Sequence, residues 1–159
     1  MTAGAVTIAV ETPLQDDIRA LVQSLNDHLL PLSPLEFQFK LTAEQMAEPG
    51  VTLWVMRNDA GEAVAMGALK EHGDGLAEVK RMFTKPDLRG RGMGRRILAA
   101  IEEGARQRGI STLVLETGST AGFEPAWALY EAAGFSRCGA FLDYPDSGYS
   151  RFYEKTLSR

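Results

Sequence analysis

Apolar positions along this chain switch between two periods, and the switches divide it into elements. Val6, Ile8 and Val10 alternate as a short strand does. Thr12 followed by Pro13 predicts the cap and first position of a helix whose apolar face is Ile18, Leu21, Val22, Leu25 and Leu29, ended by Pro31 and Pro34. Thr42 with Gln45 three residues on predicts a capping box and a short second helix over 43–47, closed by Gly50. Three strand patterns follow, at 51–57, 63–69 and 76–84. The links between them, Asn58-Asp59-Ala60-Gly61 and His72-Gly73-Asp74-Gly75, are short enough to require an antiparallel meander. After Gly94 the period changes again: Ile97, Leu98, Ile101 and Ala105 share one face of a helix of about four turns, with Gly109 placed to cap it. A buried strand at 110–116, a helix opened by Pro125 and ended by Gly134, and a last strand at 149–157 complete the series. A meander followed by alternating strands and helices predicts an α+β fold with a mixed sheet and helices on its faces.

Composition narrows the class. The chain has 159 residues, the size of one domain, and 45% of them are hydrophobic against 24% charged, an ordinary globular balance. No apolar run approaches the roughly 20 residues that span a bilayer, and residues 1–10 lack the layout of a signal peptide, so the expected location is the cytoplasm with no membrane partner. One cysteine, Cys138, and two histidines, His28 and His72, offer no metal-ligand spacing, and no metal is expected.

The net charge of −4 conceals an uneven distribution. Lys80, Arg81, Lys85, Arg89, Arg91, Arg95 and Arg96 crowd one segment that holds a single acid, Asp87. A concentrated basic segment in an acidic protein suits a compact polyphosphate better than a nucleic-acid track. Within it, Arg89-Gly90-Arg91-Gly92-Met93-Gly94 stands between a predicted strand and an amphipathic helix. Unpaired N–H groups in a helix's first turn, glycines that permit close approach, and arginine forks together describe a pyrophosphate cradle. The dinucleotide pattern G-x-G-x-x-G would need glycine where Arg95 stands, and no G-x-x-x-x-G-K-[S/T] occurs, so a nicotinamide-type enzyme is disfavoured.

The spacing R-x-x-G-x-G, the preceding Lys85-Pro86 and the later Ala128-Leu129-Tyr130-Glu131-Ala132-Ala133-Gly134-Phe135 resemble the GNAT superfamily of N-acetyltransferases. The resemblance is clear from about residue 51 to 135, and residues 1–50 match in outline only; it implies one domain over 1–159. It implies a mostly antiparallel sheet splayed between the fourth and fifth strands, with the pyrophosphate of acetyl-CoA, the cosubstrate, on Arg89, Gly90, Arg91, Gly92, Met93, Gly94 and Arg95. Main-chain groups of Met82, Phe83 and Thr84 would pair with the pantetheine arm, and an N–H of that stretch would polarise the thioester carbonyl. The family usually has an aliphatic residue where Thr84 stands.

The chemistry implied is N-acetylation of a primary amine, on a small molecule, an amino acid or a peptide end, by direct attack in a ternary complex. Such an amine must lose a proton, and a carboxylate can take it. Glu78 resembles the base position of the histone-modifying branch, and Glu116 ends the neighbouring strand; either is equally a solvated or ion-paired carboxylate. Tyr130 stands where many relatives carry the acid that protonates the departing thiolate, and a packed aromatic is the alternative role. Cys138 has no partner to make it a nucleophile. His28, the loop 31–39 and the stretch 141–149 are candidates for the acceptor pocket, and Glu124, Asp143 and Asp146 would suit a cationic amine there. A non-catalytic acyl-CoA-binding or sensing module would use the same cradle, and a homodimer is left open.

Overall fold

The computed structural model describes residues 5–158. It builds β1 (Thr7–Val10), α1 (Asp16–Leu29), α2 (Ala43–Met46), β2 (Val51–Arg57), β3 (Ala63–Gly73), β4 (Leu76–Thr84), α3 (Met93–Gln107), β5 (Thr112–Gly118), α4 (Glu124–Ala132), β6 (Ser136–Cys138) and β7 (Ser150–Thr156). Seven strands form one sheet in the order β1-β2-β3-β4-β5-β7-β6. Every neighbouring pair is antiparallel except β4 with β5. Helices cover both faces and divide the core in two. On one side Ile97, Leu98 and Ile101 of α3 pack with Val64, Leu69, Val79 and Leu115; on the other, Ile18, Leu21 and Leu25 of α1 pack with Leu53, Val55, Met66 and Phe83. The strands β2 and β3 are buried on both faces, which is why they read as continuous apolar runs.

Local chemistry explains most boundaries. The Thr42–Gln45 capping box forms as expected, with Gln45 N–H donating to Thr42 Oγ1 at 3.1 Å and Thr42 N–H to Gln45 Oε1 at 2.9 Å. Gly109 ends α3 at φ +76°. The start of α1 needs correction: the helix begins at Asp16, with Gln15 extended at its cap, and not at Thr12–Pro13. Thr12 Oγ1 instead accepts from the Leu14 N–H at 3.2 Å, while Arg57 holds Glu11 by two donors at 2.8 and 2.9 Å. Those bonds tie the entry segment to the sheet and delay the helix by one turn. The strand β3 also runs four residues past Leu69, to a turn with Asp74 and Gly75 both at positive φ. The strand β6 was not expected; three polar-flanked residues carry no alternation, and only the edge of β7 gives them a ladder.

The sheet is distorted where the site lies. Lys80 of β4 faces Ala68 of β3 and Phe83 faces Met66, so Arg81 and Met82 together oppose Gly67. That is a β-bulge, with Arg81 at φ +56°. Met82 leans over Gly67, where a Cβ would collide with Met82 Sδ and approach Ile97 and Ile101 to 2.8 Å, so only glycine fits the facing position. On the other edge, β4 pairs with β5 only from Leu76↔Thr112 to Glu78↔Val114, and beyond Glu78 the two strands part.

Candidate active site

A cavity of about 680 Å³ opens where β4 and β5 part, within the range of small-molecule sites. At one end lie Leu88, Arg89, Gly90, Gly92, Met93, Gly94 and Arg95, followed by Met82, Phe83 and Thr84 along β4. At the other lie Glu78, Lys80, Arg81 and Glu116 of the sheet, His28 of α1, and Gln38, Phe39 and Lys40. Leu129 and Tyr130 of α4 close one wall. Of the residues expected to bind the cosubstrate or to move protons, all line this cavity except Arg91, which is exposed outside it.

The glycine-rich turn has the shape an anion needs. Gly92 caps α3 in the left-handed region at φ +77°, and Gly90 stands at +81°. A Cβ at either would find no heavy atom within 4 Å, so both face open space rather than filling a packed turn. The first helical bond runs from Arg96 N–H to Gly92 C=O at 3.1 Å, leaving the N–H groups of Met93, Gly94 and Arg95 without an intrahelical acceptor. Arg89 Nε donates to Thr84 C=O at 3.2 Å, and its guanidinium stacks over Phe83 at 5.5 Å. These features fit a diphosphate. The basic segment is not a single patch, however. Lys85 pairs with Glu62 at 3.5 Å, Lys80 with Glu78 at 3.3 Å, and Arg81 turns to α1.

Glu78 is buried and its carboxylate is fully engaged. Oε1 faces His72 Nε2 at 3.1 Å, and Oε2 accepts from Lys80 Nζ and, through a short hydrogen bond, from Tyr144 O–H. Lys80 Nζ also donates to Tyr144 Oη at 2.6 Å. Burial, then the charge of Glu78, pushes the Tyr144 phenol well above its ordinary pKa. Glu116 differs: Ser150 Oγ donates to its Oε2 at 2.7 Å, and burial pushes its carboxyl above the usual carboxylate range. Tyr130 is 6% exposed, packed edge-to-face on Phe135 at 5.8 Å, and burial raises its phenol above the ordinary value. The indole of Trp127, which donates to Thr117 Oγ1 at 3.0 Å and Gly118 C=O at 3.1 Å, locks α4 onto β5.

His28 lines the cavity, where burial and the charge of Arg89 lower its pKa. The stretch 141–149 does not line the cavity; its Tyr144 packs behind the lining residue Phe39, ring to ring at 5.1 Å. Glu124, Asp143 and Asp146 line nothing here, so the expected acidic acceptor wall is corrected: the charged groups away from the cradle are Lys40, Lys80, Arg81, Glu78 and Glu116. Sequence reasoning reached Tyr144 only as one residue of 141–149, and missed its bond to Glu78 and the turning of Arg81. No spacing announces either, since one depends on a loop folding back and the other on the bulge. Cys138 is half-buried at the sheet edge, where burial raises its thiol.

Known proteins are similar to this chain in sequence and fold. Residues 18–135 match the family described as Acetyltransferase (GNAT) family. An IAA acetyltransferase of Azospirillum brasilense is 40% identical over 153 residues, covering 96% of this chain and 98% of its own. The uncharacterized N-acetyltransferase YsnE of Bacillus subtilis is 38% identical over 147 residues, covering 89% of this chain and 97% of its own. A solved structure of a provisionally named acyl-CoA N-acyltransferase from Klebsiella pneumoniae superposes with a TM-score of 0.81 at 33% identity, covering 96% of this chain and 98% of that one.

Proposed function

This chain belongs to the GNAT acetyltransferase family, and from that premise we propose that it moves an acetyl group from acetyl-CoA to a primary amine by direct attack in a ternary complex. One observation carries the reading: a single cavity runs from the glycine-rich turn, through the gap between β4 and β5, to two carboxylates and a neutral phenol. Acetyl-CoA supplies an acyl group activated as a thioester. The protein supplies the rest. Amides of the first turn of α3, with Arg89 and Arg95, hold the diphosphate. Past Glu78 the β4 backbone has no β5 partner, so Met82, Phe83 and Thr84 offer main-chain groups to an extended arm laid between the strands, and an N–H of that stretch polarises the carbonyl.

Glu116 takes the proton from the acceptor, directly or through water. Burial raises its pKa, which suits a base, whereas both oxygens of Glu78 are engaged by His72, Lys80 and Tyr144. Glu78 then holds the floor of the acceptor end. Tyr130, a phenol that carries its proton at neutral pH and lines the cavity, donates it to the leaving thiolate.

The test is incubation with acetyl-CoA and a panel of primary amines, following free thiol and the mass of the acetylated product. Thiol release that depends on the amine supports the reading. Binding of coenzyme A with no release for any amine favours a non-catalytic acyl-CoA module, and absence of binding removes both.

A further inference from the structure

The bulge in β4 changes which face of the sheet Arg81 serves. Ala77 and Val79 belong to the core under α3, and Glu78 and Lys80 to the opposite face. Strict alternation would return Arg81 to the α3 side. Its left-handed backbone turns it instead to α1, where Nη2 donates to Asn26 Oδ1 and, at 3.5 Å, to Val22 C=O. A non-glycine residue in that conformation carries strain of roughly 1–2 kcal/mol. The distortion thus aims a guanidinium at the acceptor end of the cavity.

Arg81 is only 7% exposed, and no carboxylate pairs with it among the described residues. Its Nε–H is buried with no hydrogen-bond partner. Both acids of the cavity are committed elsewhere, Glu78 to His72, Lys80 and Tyr144, and Glu116 to Ser150. A buried arginine without a counter-ion is a costly arrangement, and a neutral side chain would serve as well to pin α1 to the sheet. Its fork of donors, of which only Nη2 is matched among the described residues, has the chemistry of a receptor for two oxygens that share a negative charge. Lys40, which also lines the cavity, adds positive potential.

We propose that Arg81 binds a carboxylate of the acceptor, so that the molecule acetylated carries both an amine and a carboxylate, as an amino acid does. Arg81 is then a specificity-determining residue, and Asn26 orients its fork without neutralising it. The proposal rests on the acetyl-acceptor reading of this cavity and narrows it to one substrate class.

The experiment compares the common amino acids with their carboxamides, using the full chain, by binding calorimetry in the presence of coenzyme A and by turnover with acetyl-CoA. The wild type should bind and acetylate at least one free acid in clear preference to its amide. Arg81→Gln should raise the KM for that acid roughly 10- to 100-fold, the range of a charge-assisted contact, and leave the KM for acetyl-CoA unchanged. Asn26→Asp supplies the missing counter-ion within the protein. It should abolish the preference to a similar extent while the melting temperature holds or rises. That variant decides the matter if Arg81→Gln folds poorly, because a merely structural Arg81 would be strengthened by it with no change in acceptor choice. Acids and amides treated alike by the wild type, or a preference that survives Asn26→Asp, would overturn the proposal. Acid-selective binding without turnover would leave Arg81 as the receptor and count against the catalytic reading alone.

Discussion

Replacing Tyr130 by phenylalanine separates chemistry from packing at this site. The ring is what the fold uses: it packs on Phe135 at 5.8 Å and lies 6.3 Å from the ring of Tyr153, and phenylalanine keeps both contacts. Stability should therefore change by less than about 1 kcal/mol, the net worth of one ordinary hydrogen bond, or under roughly 4 °C in melting temperature for a domain of this size. The hydroxyl is what the reaction would use. Donation by a positioned general acid is worth about 10²- to 10⁴-fold, which at 1.36 kcal/mol per decade corresponds to roughly 2.7–5.4 kcal/mol of transition-state stabilisation. Because burial raises the phenol above its ordinary 10.0, the wild type should lose no turnover to Tyr130 ionisation at pH 7–9. The assay is free-thiol release at saturating acetyl-CoA and amine, with a thermal melt and coenzyme A calorimetry on the same preparations. The expected result is kcat down at least about a hundredfold with affinity for coenzyme A within about twofold. Full turnover in Tyr130→Phe would refute the assignment, and a large fall in melting temperature would show that the loss came through the core.

Glu116→Gln should cut kcat by about a hundredfold or more as the base is lost. Because burial raises the folded-state pKa of Glu116 above 4.5, its favourable contribution is complete below that value and disappears as pH rises through the raised pKa. The Gln variant should therefore melt above the wild type at pH 8 and converge with it below pH 4.5. Gly92→Ala places a Cβ in open space on a backbone at φ +77°, so its effect is conformational; about 1–2 kcal/mol of strain should lower melting by roughly 2–8 °C, and relaxation of the turn should weaken coenzyme A binding about 5- to 30-fold in calorimetry. Arg57 joins Glu11 at 2.8 Å and Asp17 at 2.6 Å, and these bonds hold both carboxyls below their usual 4.5 and 3.8. That stability is present at neutral pH and lost as acid carries the carboxyls through their lowered pKa values, so melting curves of Arg57→Met should lie about 2–8 °C low at pH 7 and close on the wild type only once the pH falls below those lowered values.

What the sequence by itself determined is everything that depends on neighbours along the chain. The periods of Ile97, Leu98, Ile101 and Ala105, the Thr42–Gln45 box and the glycines that end α3 and α4 act within a few residues, and each appears where its local chemistry puts it. The glycine-rich turn was legible for the same reason, since Gly90, Gly92 and the first turn of α3 form one contiguous stretch. The tertiary structure alone decided which charges meet. Only the fold brings Tyr144 to Glu78 across 66 residues, and Arg57 to Glu11 across 46, the latter moving the start of α1. Only the bulge opposite Gly67 turns Arg81 from the basic run to α1, because an inserted residue changes the facing of a side chain without leaving any mark in the spacing.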